Sequence, residues 1–158
     1  MTSPRSGEHA PHRGVRLGVD VGTVRVGVAV SDPDGVLATP VVTLARDEDT
    51  ARDLDELTAL VDERRVVEVA VGLPRTLRGT DGSAARSARS YAAALAERIA
   101  PVPVVLVDER LSSVEANRVL AERRVPGRGR RAVVDQLAAV TILQTHLDRL
   151  RARRDAGA

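Results

Sequence analysis

The stretch GVRLGVDVGTVRVGVAVSD, Gly14 to Asp32, decides how the rest of the chain is read. Two runs rich in β-branched residues flank Gly22, and Gly22-Thr23 sits near the turn, so VRLGVDV and VRVGVAVS read as paired strands. Alternation sends Val15, Leu17, Val19 and Val21 to one face of the first strand and Arg16, Gly18 and Asp20 to the other. On the second strand Gly27 and Ala29 are small where Val26, Val28 and Val30 are large. A carboxylate at position 20 therefore falls in what reads as the middle of a sheet. Burying a bare carboxylate is costly unless it is paired or bound to a metal.

Working outward, Asp32-Pro33-Asp34-Gly35 is a turn and VLATPVVTL, 36–44, a third strand, which makes a three-strand meander. Residues 47–65 form an amphipathic helix with Leu54, Leu57 and Val61 as its apolar stripe. A buried strand follows at 66–74, a loop at 75–82, and an Ala-rich helix at 83–100 with Ala84, Ala88, Tyr91, Leu95 and Ile99 along one side. A fifth strand spans 101–109. Ser112 and Glu115 make a capping box for a helix at 112–124, and the closing helix covers 132–154. The order βββ-α-β-α-β-α-α predicts an α/β fold, a mixed five-stranded sheet with helices on both faces. The expected organisation is a disordered lead at 1–14, one domain at 15–150 and a basic, flexible tail at 151–158.

Composition narrows the class. The chain has 158 residues, enough for one core, and no cysteine, which excludes disulfides and thiolate metal sites. No apolar run approaches a membrane span, and the first residues lack a hydrophobic signal region, so a cytoplasmic protein is expected. None of the 24 basic residues is Lys, and the net charge is only +2. Acid gathers at 46–63, and Arg gathers at 123–131 and 149–154, so one face can meet a polyanion. Tyr91 is the only aromatic residue, which rules out recognition by aromatic base-stacking platforms.

Four carboxylates are candidates for a site. Asp20 lies on the first strand, Asp108 and Glu109 close the last, and Asp135 shares a helix face with Ala138, Ala139 and Ile142. That small apolar face packs closely on the sheet and carries Asp135 inward. Inward carboxylates without a nearby Lys or His call for a cation, and oxygen ligands suit Mg²⁺ or Mn²⁺. Each has an ordinary alternative. Asp20 can cap a turn, Glu109 can pair with Arg110 or Arg118, and Asp135 can favour a helix N-terminus. Asp108 and Glu109 face opposite ways; Glu109 is the preferred ligand and Asp108 stays in reserve. His9 and His12 fall in the lead, and His146 reads as a residue at a helix boundary.

The blocks GVDVGTVRVGVAVSD (18–32), VGLPRTLRGTDG (71–82), VDERLSSVEA (107–116) and DQLAAVTILQTHLD (135–148) resemble, in order, the signature blocks of the YqgF/RuvX family. These are Holliday-junction-resolvase-like proteins with the RNase H-like fold, also described as pre-16S rRNA nucleases. The resemblance covers about Arg16 to Leu150. It implies a metal-dependent nuclease that processes the 5′ end of 16S rRNA during ribosome maturation, with branched DNA as another substrate. It places the acidic site on Asp20, Glu109 and Asp135. Ser112 and Ser113 stand where the family often has Thr. Two ions are expected, with Asp20 bridging them and Gly18, Gly22 and Gly27 clearing space for the substrate backbone.

Basic segments supply candidate nucleic-acid contacts. RRVPGRGRR, 123–131, reads as an arm whose Arg128, Arg130 and Arg131 clamp phosphates, or as a solvated linker. Arg75 and Arg78 precede a helix N-terminus that attracts phosphate, while Asp81 or Ser83 can cap it. The expected partner is RNA, pre-16S rRNA or the pre-ribosome, or branched DNA, with the chain a monomer or homodimer. Two other readings stay open. GVDVGT also resembles the first phosphate motif of sugar kinases and actin-like ATPases, but those close ATP between two such domains. A non-catalytic, nucleic-acid-binding ribosome-assembly factor would keep the fold without the chemistry.

Overall fold

A computed structural model describes residue 11 and residues 13–76, 78–111 and 130–157. Strands β1 (Arg16–Val21), β2 (Arg25–Ser31), β3 (Ala38–Ala45), β4 (Glu68–Leu73) and β5 (Val104–Asp108) form one sheet in the order β3-β2-β1-β4-β5. The β1–β2 and β2–β3 pairs are antiparallel, and β1–β4 and β4–β5 are parallel. Among the described residues the α-helices are α1 (Arg52–Glu63), α2 (Ser83–Ile99) and α3 (Arg130–Gly157). This is the mixed α/β sheet that the sequence predicts. The capping box at Ser112 and Glu115, its helix, and Arg128 lie outside the described residues.

Alternation divides the sheet into two unlike faces. Leu17 and Val19 of β1, Val26 and Val28 of β2, and Val69 and Val71 of β4 pack with Leu54, Leu57 and Val61 of α1 and Tyr91, Leu95 and Ile99 of α2. These large side chains are fully or nearly fully buried and form the main core. The opposite face is built of small residues. The register sets Gly18 opposite Ala29 and Ala70, and Asp20 opposite Gly27. Helix α3 lies on this face through Ala138, Ala139, Ile142, Leu143 and Leu147.

The glycines on that face decide how near α3 can come. A Cβ at Gly27 would lie 2.0 Å from the Asp135 carbonyl oxygen, and one at Gly18 would lie 2.6 Å from Leu143 Cβ. Both positions serve helix packing, not clearance for a substrate backbone. Gly22 serves its own hairpin, since a Cβ there would meet the Arg25 carbonyl oxygen at 2.7 Å. Thr43 Oγ1 donates to the Ala132 carbonyl at 2.7 Å, and the Ala38 N–H donates to Gln144 Oε1 at 2.9 Å, fixing α3 along β3.

Several element ends differ from expectation. Helix α1 starts at Arg52 rather than Asp47, because the Asp47 carboxylate accepts the Asp49 and Thr50 N–H groups and closes a turn of its own. In α2 the buried positions are Ala85 and Ala92 together with Ala88, Tyr91, Leu95 and Ile99, while Ala84 faces outward. Residues 151–157, read as a flexible tail, continue α3 as exposed helical turns. His146 lies within α3 rather than at its boundary.

His146 belongs to a buried polar cluster that joins α3 to the sheet far from Asp20. Glu68 Oε1 accepts Arg16 Nε at 3.0 Å and pairs with His146 Nε2 at 2.6 Å. Arg16 also donates to the Pro11 carbonyl at 2.6 Å. Burial alone would raise the Glu68 pKa, but the hydrogen bonds and charges of His146 and Arg16 outweigh it and hold the carboxyl below its ordinary value. An ionised Glu68 only accepts, so His146 Nε2 carries the proton in this pair.

Two outcomes test this packing. Gly27→Ala should destabilise the fold by about 1–3 kcal/mol, a fall in Tm of roughly 3–10 °C by calorimetry; an unchanged Tm contradicts the close contact. A carboxyl with a depressed folded-state pKa contributes stability above its unfolded value, which is lost as pH falls through the folded one. Glu68→Gln should therefore flatten the dependence of stability on pH on the acid side, below the ordinary Glu range. Denaturant midpoints measured from pH 7 to pH 3 read this directly, and parallel profiles for wild type and variant would refute it.

Candidate active site

The small-residue face also carries the site. Asp20 is the penultimate residue of β1 and is only 6% exposed. Its antiparallel partner is Gly27, and the Asp135 backbone of α3 rests on Gly27. The missing side chain at position 27 thus brings the first turns of α3 over the strand that pairs with Asp20. Glu109 opens a 3-10 turn, Glu109–Leu111, directly after β5. A Cβ on Gly72 would lie 2.8 Å from Glu109 Oε1, so the Glu109 carboxylate reaches back across the end of β4.

Asp20, Glu109 and Asp135 line a single cavity of about 620 Å³. Its wall also includes the β1–β2 turn from Gly22 to Arg25, Pro74, Ala84, Arg131 and Val134. The turn is closed by the Gly22 N–H donating to the Arg25 carbonyl at 2.8 Å, and Arg46 Nη1 holds the Gly22 carbonyl at 2.9 Å. The outward Ala84 is accounted for here, since it lines this cavity rather than the core.

Asp108 belongs to a different arrangement. Its carboxylate accepts the Arg110 backbone N–H at 2.9 Å, Arg110 Nε at 3.0 Å and Arg110 Nη2 at 2.6 Å. The Arg110 hydrogen bonds are the main reason its pKa is lowered to about 2, with Arg75 Nη1 adding charge at 3.7 Å. Two residues of like parity on β5, Val105 and Val107, contact the α3 side, and Glu109 continues their alternation; Asp108 does not.

The charge chemistry of the cavity suits hard cations in donor type, since its acidic lining is wholly carboxylate and contains no His. Among the described residues, however, no three acidic or histidine side chains are grouped closely enough to hold a metal ion. Asp135 Oδ2 instead accepts Arg25 Nε at 2.8 Å. Arg25 was not among the residues singled out from sequence. Strand alternation could have found it, because Arg25 stands two residues before Gly27 and so shares the face of Asp20.

The basic candidates divide. Arg131 is exposed and lines the cavity. Arg130 starts α3. Arg78 is exposed, whereas Arg75 is turned inward on its own loop, donating to Asp81 Oδ1 at 3.2 Å and to the Gly79 carbonyl. Asp81 also accepts Arg89 Nε at 2.6 Å, and the α2 N-cap is Gly82, without a side-chain cap.

Comparison with known proteins agrees with this architecture. The RuvX family model, described as Holliday junction resolvase, matches residues 14–149. A Frankia casuarinae protein named "Putative pre-16S rRNA nuclease" is 63% identical over 134 residues, covering 85% of this chain and 66% of that protein. A protein of the same name from Mycobacterium sp. (strain KMS) is 57% identical over 148 residues, covering 94% of this chain and 88% of the relative. Among solved structures, T. thermophilus RuvC in complex with Holliday junction substrate superposes with a TM-score of 0.56 at 17% identity, over 90% of this chain and 96% of that one. At that identity the likeness is one of fold, and the sheet described above is the RNase H-like sheet of RuvC. The chain is a member of the RuvX family.

Proposed function

We propose that this protein is a divalent-metal-dependent nuclease that cleaves phosphodiester bonds in structured RNA and trims the 5′ end of pre-16S rRNA. The observation that carries this reading is the meeting of Asp20, Glu109 and Asp135, from β1, the end of β5 and α3, around one cavity. The relatives named as pre-16S rRNA nucleases supply the RNA and the reaction class. A cytoplasmic location follows from that substrate, and no helix among the described residues is long and apolar enough to cross a membrane.

In this reading Asp20, Glu109 and Asp135 hold Mg²⁺ or Mn²⁺. When bound, such ions lower the pKa of a water and neutralise charge at the phosphate. The chain's own contribution is placement. Burial of Asp20 in the sheet fixes one ligand on a rigid strand, and the Gly27 contact fixes the backbone of another. Arg131 at the cavity wall offers a cation to the phosphate backbone. Tyr91, the sole aromatic residue, is buried, donates to Asp53 at 2.8 Å and lies under the Arg46 guanidinium. Bases find no aromatic platform, so recognition rests on backbone charge and shape.

The direct test is cleavage of a 5′-extended 16S precursor by purified protein with Mn²⁺, beside a four-way DNA junction. Asp20→Asn should lose at least about a hundredfold in rate while RNA affinity is retained. Undiminished cleavage by that variant contradicts the assignment, and preference for the junction replaces the substrate. Glu109→Gln should be as damaging, whereas Asp108→Asn should retain metal-dependent cleavage. The reverse order of these last two would exchange the roles of the adjacent carboxylates.

A further inference from the structure

Arg25 lines the cavity and is paired with a candidate ligand, Asp135. Its Nε donates to Asp135 Oδ2 at 2.8 Å, with the two side chains 33% and 18% exposed. The pair spans 110 positions in sequence, so it exists only because α3 lies against β2. The backbones on both sides are fixed. Arg25 begins β2 and pairs in register with Ala45, and the Asp135 carbonyl sits over Gly27. Gln136 Nε2 donates to Thr43 Oγ1 at 3.1 Å, holding the next residue of the helix to β3. The side chains are thus the parts of this pair that can move.

We propose that Arg25 is a positioning residue that occupies Asp135 before the cation arrives, and that it yields Asp135 to the cation and then faces the substrate phosphate. This rests on the metal-site reading given above. A guanidinium on Asp135 Oδ2 fills one of the carboxylate's acceptor positions and its charge repels a divalent ion at short range, so the two compete for Asp135. In this structure the pair occupies an oxygen that the metal-site reading assigns to a cation. It keeps a half-buried Asp135 neutralised and oriented without metal, at the modest strength of a partly exposed ion pair. Displaced from Asp135, the Arg25 guanidinium remains on the cavity wall, where its planar fork matches a phosphodiester.

The consequence is opposite in sign to that of a structural role. Removing Arg25 should strengthen metal binding while weakening the grip on substrate. Mn²⁺ affinity of the full chain, read by electron paramagnetic resonance without nucleic acid, should be about two- to tenfold tighter in Arg25→Gln than in wild type. Arg25→Met should agree, and Arg25→Lys should fall between. With Ca²⁺ present, Arg25→Gln should bind the RNA precursor more weakly than wild type. Asp135→Asn is the control and should lose Mn²⁺ affinity. Equal or weaker Mn²⁺ binding by folded Arg25→Gln and Arg25→Met, with normal binding by wild type, overturns this proposal alone. If wild type and the Arg25 variants all fail to bind Mn²⁺, the metal-site reading falls and this proposal falls with it.

Discussion

The close approach of α3 to a face made of glycine and alanine is the constraint on which the rest depends. Gly18, Gly27, Ala29, Ala70 and Gly72 leave only a thin side-chain layer between helix and strands, and the helix answers with Ala138 and Ala139. A larger residue at Gly27 would have to displace helix backbone rather than a flexible side chain. The opposite face of the same strands is wholly different, with valine and leucine packed against α1 and α2. One face therefore supplies most of the apolar burial. The other is thin enough for Asp20 of the central strand and Asp135 of the helix to line one cavity.

The separation also explains where charge is tolerated. Along the α3 face, the polar groups lie toward the two ends of the β1 strand. At one end Arg16, Glu68 and His146 satisfy one another and tie helix to sheet. At the other, Asp20 meets a cavity lined by Glu109, Asp135 and two arginines. Between them Ala139, Ile142 and Leu143 are fully buried and keep the ends apart. Among the described residues no buried side-chain nitrogen or oxygen lacks a hydrogen-bond partner, as expected of a core whose polar groups are costly to leave unmatched.

Much of this was legible in the sequence because alternation is a local signal. The run from Val15 to Ser31 sorted large from small residues, and the face that held Gly18 and Gly27 also held Asp20. The small stripe on α3 pointed to close packing and to Asp135. What could not be read was the partner across a long loop. The glycines looked like room for a substrate until the helix was seen to fill it. Arg25 shared a face with Asp20 by simple parity, yet its pairing with Asp135 needed the tertiary contact. The sequence places the start of α1 at Asp47 rather than Arg52, because it does not show that the Asp47 side chain closes a turn of its own in competition with helix propensity. His146 gave no local sign of Glu68, which lies 78 positions away.

The account stands on the claim that these separated carboxylates are brought together to hold divalent ions. Anomalous diffraction from crystals of the full chain grown with Mn²⁺ measures that claim most directly. The expected result is manganese in this cavity at about 2.1 Å, a bonding distance for a small hard cation, from Asp20 and from Glu109 or Asp135, with Asp135 turned away from Arg25. Manganese bound only elsewhere, or a cavity that stays empty at saturating Mn²⁺ with the Arg25–Asp135 pair intact, would contradict it.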